Sequence, residues 1–184
     1  MAKLSTTAWV AHELGLAASF GGVLFGKVAL NPNLDVLQSK TDRGKLLNTA
    51  WNRYNVVNAV SLGTTILTWL AGRGAIRGDV SDEDTRGLVL AKDALLATAA
   101  GTGLASMLSG LSLTRQAPEG ATPIDSGTTP APEMSDEAAR LLRRVNILGN
   151  VNLAVLGSVI AVSTILSMKA GESTRWAAVS RLLP

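Results

Sequence analysis

The sequence predicts an all-α integral membrane protein, a four-transmembrane-helix bundle made of two similar hairpins. Three observations predict it. Long runs carry no charge: Tyr54 to Gly72 is 19 residues, Ala94 to Thr114 is 21 and Val145 to Met168 is 24. About 20 apolar residues rising about 1.5 Å each cross a hydrocarbon core about 30 Å thick, so each run can span. Next, the segments open alike in pairs. The first begins Ala11-His12-Glu13-Leu14-Gly15-Leu16-Ala17 and the third Ala91-Lys92-Asp93-Ala94-Leu95-Leu96-Ala97, while the second and fourth share Arg-x-Asn at Arg53-Tyr54-Asn55 and Arg144-Val145-Asn146. Finally, small residues recur at helical spacing: Ala11, Gly15, Ala18, Gly22 and Gly26 in the first segment, Ala97, Gly101, Ala105 and Ser109 in the third. Such stripes let backbones approach closely where lipid removes the usual hydrophobic drive between helices.

The first span is placed at 7–30. Only Leu14 to Gly26, 13 residues, is wholly uncharged, with His12, Glu13 and Lys27 towards its ends. Asn31-Pro32 stops it, because the residue before proline disfavours the α region. A loop carrying Lys40, Arg43 and Lys45 leads to the second span at 52–73. Trp51 and Tyr54 at one interface and Trp9 with Trp69 at the other form an aromatic belt. Ser81-Asp82-Glu83-Asp84 caps a lead-in to the third span at 88–114. The connection 115–133 is rich in Pro, Thr, Gly and Ser without periodicity, and reads as a flexible linker. Ser135 is an N-cap candidate, although Ala138 stands where Glu or Gln would complete a capping box; Asp136 and Glu137 suit the positive end of a helix. The fourth span is 144–168. The tail, 172–184, sets Trp176, Val179, Leu182 and Leu183 against Arg175 and Arg181 and reads as an interface-lying helix. The whole chain, 1–184, is one membrane domain.

Composition narrows the function. Of 184 residues 47% are hydrophobic, and the net charge of +3 falls largely at segment ends. Interfacial anchoring explains those cations, and with few aromatics beside them they do not indicate nucleic acid. Without cysteine there is no disulfide, thiolate nucleophile or sulfur-ligated metal, and one histidine excludes a bis-His haem within the chain. No metal or cofactor is expected. No P-loop, G-x-S-x-G, H-E-x-x-H or Rossmann glycine pattern occurs. No cleaved signal peptide is expected, since His12 and Glu13 interrupt the apolar run that one needs. Lysine and arginine number eight on the termini side and nine on the other, so the positive-inside rule sets no orientation. The Pro/Thr-rich linker suits the extracytoplasmic side, which puts the termini in the cytoplasm.

Two polar constellations could carry chemistry. On the termini side His12, Glu13, Lys92 and Asp93 share a depth. They make either two crossed ion pairs, Glu13 with Lys92 and His12 with Asp93, or a proton-handling pair, since histidine titrates near neutrality. On the other side Lys27, Arg53 and Arg144 lie level with Asn52, Asn55, Asn58, Asn146, Asn150 and Asn152. Cations and amides without carboxylates suit an anionic or carbonyl-bearing ligand. The bland alternative is snorkelling arginines with asparagines as interhelical glue. The ligand set read from the sequence is Lys27, Arg53, Asn55, Asn58, Arg144, Asn146 and Asn150, for a lipid, quinone or aromatic compound.

Gly21-Gly22-Val23-Leu24-Phe25 followed by Asn31-Pro32, then Trp51 with Asn55 and Asn58, then Arg144 with Asn150, resembles small four-span bacterial membrane proteins, the anthrone-oxygenase-like group among them. The resemblance implies a bacterial inner-membrane location and a pocket for a flat aromatic or quinone-like molecule; it assigns no role to any single residue. Three functions stay open: small-molecule binding, a cofactor-independent oxygenase-like enzyme, and an accessory subunit of a larger membrane complex. The partners expected are the bilayer, a lipophilic small molecule, and a membrane protein or second copy of the chain.

Overall fold

A computed structural model describes residues 6–79 and 83–171, the side chains of 74–79, 83, 84, 170 and 171 apart. Among the described residues there are four long helices: α1 (Thr6–Phe25), α2 (Lys40–Asp79), α3 (Glu83–Thr114) and α4 (Asp136–Gly171). They form no strand; one isolated bridge joins Ile124 and Pro130. The interface-lying tail expected at 172–184 and the cap expected at Ser81-Asp82 lie outside the described residues.

The helices start where side chains can satisfy free backbone donors. Ser39 Oγ accepts the Asp42 N–H at 3.2 Å ahead of α2, and Ser135 Oγ accepts the Ala138 N–H at 3.2 Å ahead of α4. Both helices run longer than the spans read from the sequence. The segments 40–51 and 136–143, placed outside the second and fourth spans, are continuous with them. Asn31-Pro32 does not end the helical path of α1 abruptly. The path loosens into a π turn at Gly26–Leu30, closed by Asn31 N–H to Gly26 O at 2.9 Å, and tightens into a 3-10 turn at Pro32–Val36. Proline cannot continue the α ladder, and the change of pitch absorbs it.

α1 packs along α2 and α3 along α4; the two hairpins then join mainly through α2 and α3. The central core is built from residues such as Leu16, Leu62, Trp69, Leu96, Leu156 and Val159. Apolar side chains at Val56, Val60, Leu67, Leu104, Ile147 and Met168 face outward. Three helical segments are long and apolar enough to cross a membrane: Thr6–Val36, Thr85–Thr114 and Asp136–Lys169. α2 is not among them, since Asn55, Asn58, Thr64, Thr65 and Thr68 dilute its uncharged middle.

The connection between α3 and α4, expected as a flexible linker, is a folded cap. It encloses a second core in which Ile124 is fully buried with Leu34, Leu47, Leu113, Met134 and Leu142. Backbone bonds fasten it, with Ile124 N–H to Lys40 O at 3.2 Å and Gly127 N–H to Asn31 O at 3.2 Å. Arg43 gathers three carbonyls, donating to Asp125 O at 2.6 Å, Leu37 O at 2.7 Å and Asp35 O at 3.1 Å. Gly44 admits the cap backbone, for a Cβ there would lie 1.8 Å from Thr122 O. Lys40 pairs with Asp125 and Glu133, and Lys45 with Glu119, all solvent-exposed. The hydrogen bond from Lys45 holds the Glu119 carboxyl below the ordinary carboxylate range. That contribution is therefore complete above the ordinary value and fades as pH falls through the lowered one.

Packing, not charge, should hold the cap. Limited proteolysis between residues 115 and 134 should rise sharply in Ile124→Ala, which loses about 2–5 kcal/mol for a buried isoleucine. It should rise again in Gly44→Ala and change little in Lys45→Ala, since solvent screens an exposed pair. Equal cleavage in all three would mean the ion pairs hold the cap.

Candidate functional site

α1 meets α2 through a face of small residues. A Cβ at Gly15 would lie 2.5 Å from Ser61 O and 2.7 Å from Thr65 Oγ1. A Cβ at Gly22 would lie 2.1 Å from the Tyr54 ring, and one at Gly26 2.3 Å from the Trp51 ring. The Gly22-x-x-x-Gly26 motif therefore seats two rings of α2, themselves edge-to-face at 5.7 Å. Tyr54 donates to Ser19 O at 2.8 Å, and Trp51 Nε1 donates to Asn31 Oδ1 at 3.1 Å. On α3 the expected stripe is displaced: Ala97 and Gly101 face outward, while Gly103, Ser106 and Gly110 face inward.

Between these rings, α3, α4 and the underside of the cap lies a cavity of about 70 Å³, its lining largely apolar with a cluster of amides in it. Lys27, on the π turn, is its one cation, and no acidic residue lines it. The Lys27 ammonium donates to Asn146 O at 3.0 Å, with Asn146 Oδ1 at 3.5 Å. Asn48 donates to Gly120 O at 2.7 Å, Asn52 to Thr114 Oγ1 at 3.2 Å, and Asn152 to Ala99 O at 2.8 Å and Thr102 Oγ1 at 2.9 Å. Those three amides are committed to holding helices and cap together. Asn58 accepts weakly from Tyr54 at 3.4 Å, and Asn55 has no hydrogen-bond partner among the described residues. That is room for a few waters or a carboxylate-sized group.

The ligand set read from the sequence thus divides. Lys27, Asn55, Asn58 and Asn146 line the cavity; Arg53, Arg144 and Asn150 are exposed and do not. Residues at i and i+2 on a helix point about 200° apart, so Arg53 cannot face inward with Asn55, nor Arg144 with Asn146. Asn31, Asn48, Trp51, Tyr54 and Ser106 line the cavity without having been singled out for it. A helical projection of α2 would have found Asn48, Trp51 and Tyr54 on the face of Asn55 and Asn58.

The termini side is built differently. His12 and Lys92 are both fully buried and contact each other, Nε2 to Nζ, at 3.0 Å. The His12 Nδ1–H donates to Thr65 O at 2.9 Å, so Nε2 is left to accept from the Lys92 ammonium. Trp9 stacks on the imidazole at 5.2 Å, and the ammonium sits over the Trp69 ring at 4.1 Å. Asp93 accepts from Trp69 Nε1 at 2.7 Å and from Arg73 at 2.6 Å. The crossed pairs expected from the sequence are therefore replaced by His12 with Lys92 and Asp93 with Arg73, while Glu13 is exposed. Trp9, Trp51, Tyr54 and Trp69 all make contacts within the bundle, and Trp69 is only 1% exposed.

Comparison with protein-family models, with curated proteins and with solved structures finds no match.

The termini-side arrangement predicts an asymmetry between two neighbouring carboxylates. Asp93→Ala strands the buried indole N–H and the Arg73 guanidinium, and should lower stability in detergent by roughly 1–3 kcal/mol. Glu13→Ala should change it by no more than about 0.5 kcal/mol, as exposed substitutions do. The reverse ranking would restore the crossed-pair scheme.

Proposed function

We propose that the protein is a multi-pass membrane protein that binds the anionic or carbonyl-bearing end of a lipophilic small molecule in the Lys27 cavity. α2 would cross as the fourth span, its polar middle turned to the bundle interior and its Val56, Val60 and Leu67 to lipid. One observation carries the reading: a single half-buried cation stands among amide donors in a cavity lined by no carboxylate. An ammonium removed from water needs a counter-charge or strong acceptors, and Asn146 supplies only part of that. Asn55 and Asn58 offer further N–H donors to the same space, which suits an oxyanion or carbonyl oxygen.

The test uses hexanoate labelled with 13C at the carboxyl, on the full chain in lipid nanodiscs with 15N-labelled lysine. The carboxyl carbon should show a through-space contact to one lysine Nζ. Lys27→Met should abolish that contact and weaken binding about tenfold to a hundredfold, the value of a charge-assisted hydrogen bond of roughly 1.5–3 kcal/mol. Arg53→Ala and Arg144→Ala should leave affinity unchanged. Full affinity in Lys27→Met, or an equal loss in either arginine variant, sinks the reading.

A further inference from the structure

We infer that the ligand of the Lys27 cavity is a single-tailed, long-chain carboxylate whose tail leaves the bundle sideways between α2 and α3. The inference rests on the cavity reading above and adds the substrate class and its route. Outside the cavity, on the α2–α3 surface, lies a groove of about 380 Å³ lined by Val56, Ala59, Val60, Met107 and Leu111, and by Asn52 and Asn55. Those two asparagines also line the cavity, so they stand between the Lys27 cavity and an apolar groove on the surface. The Asn55 amide has no hydrogen-bond partner among the described residues, so no bond within the protein fixes it there. Beside it in the cavity, an added Cβ at Gly110 would meet nothing within 4 Å.

Depth sets the orientation. Lys27 lies near the cap end of α1, and the groove begins level with it, at Asn52 and Leu111. From there it runs inward along α2 to Val60 and along α3 to Met107, towards the middle of both helices. An amphiphile in a bilayer has the same polarity, with its head at the interface and its chain towards the midplane. Charge and size then choose the head. One lysine and no second lining cation suit a monoanion, and a carboxylate head needs only the small space beside Lys27. Because lipid is as apolar as the groove, burying the tail adds little affinity; the groove supplies the path and the single-chain limit.

The test uses hexadecanoate bearing a mid-chain diazirine, with the full chain in phosphatidylcholine nanodiscs, illuminated and mapped by peptide mass spectrometry. Label should concentrate at 56–60 and 107–111. Unlabelled hexadecanoate in excess should remove it, and methyl hexadecanoate, which has no charge, should not. Lys27→Met and Lys27→Gln should each reduce the label about tenfold or more. Ala59→Phe, which fills the groove from an exposed position, should do the same. Label scattered over the outward faces of α1 and α4 would overturn the inference, as would equal labelling of 56–60 and 107–111 by a diazirine phosphatidylcholine. If 13C hexanoate contacts Lys27 while the groove stays unlabelled, this inference fails and the cavity reading stands. If neither probe reports Lys27, both fail.

Discussion

The close approach of α1 to α2 is the constraint on which both polar sites depend. Gly15 brings the α1 backbone within reach of Ser61 O and Thr65, and the same Thr65 offers its carbonyl to His12. Further along the seam Gly22 and Gly26 give up their side-chain volume to Tyr54 and Trp51. Trp51 then fixes Asn31, and Asn31 sits against Gly127 of the cap. A seam held apart by even one methyl group would move the imidazole from its carbonyl at one end and the cavity wall at the other. The missing side chains are what let the two backbones approach this closely.

The sequence made the order and apolar middles of the four helices legible because charge-free runs report position along a helix axis, although α2 and α4 extend well beyond those runs. Azimuth was harder to read. His12 and Lys92, at matching positions of two similar segments, do come together, yet they do so as two bases sharing contact and not as members of crossed ion pairs. Adjacent residues differ by about 100° around a helix, so with Lys92 turned to His12, Asp93 faces Trp69 and Arg73. The α3 stripe failed for a related reason. Strict four-residue spacing rotates about 40° per step, so Ala97 and Gly101 leave the face that Ser109 occupies. The inward face instead follows alternating steps of three and four, through Leu96, Ala99, Gly103, Ser106, Gly110 and Leu113. The cap was misread from composition. Its one large apolar residue before Met134, Ile124, is the signal that it has a core of its own, and a scan for turn formers does not weigh it.

The cap also explains why amides line the cavity. Its backbone must be paired or hydrated, and it lies across the ends of α2, α3 and α4. Asn48 and Asn146 reach into it, and the Asn31 carbonyl takes the Gly127 N–H. Asparagines placed to satisfy an irregular segment leave some amide groups over, and those left over line the cavity. The π turn contributes to the same placement. A turn closed by an i to i−5 bond adds a residue to the helix path and rotates the residues beyond it, which sets Lys27 against Asn146 and Gly149 of α4.

The two sites differ in the one property that separates structure from function. At the termini side every polar atom of His12 and Lys92 is occupied inside the protein. Nδ1 is on the Thr65 carbonyl, Nε2 on the ammonium, and the ammonium is between indole faces with no exposed surface. Such a cluster fastens α1, α2 and α3 together, and a ligand could enter only by breaking it. At the Lys27 side the helices are already fastened, by Asn52 to Thr114 and Asn152 to Ala99, independently of the lysine. Removing the Lys27 charge therefore takes little from the bundle. A half-buried ammonium is costly wherever it is taken out of water without a counter-charge. Lys27 instead faces the cavity beside the Asn55 and Asn58 amides, held by its hydrogen bond to Asn146.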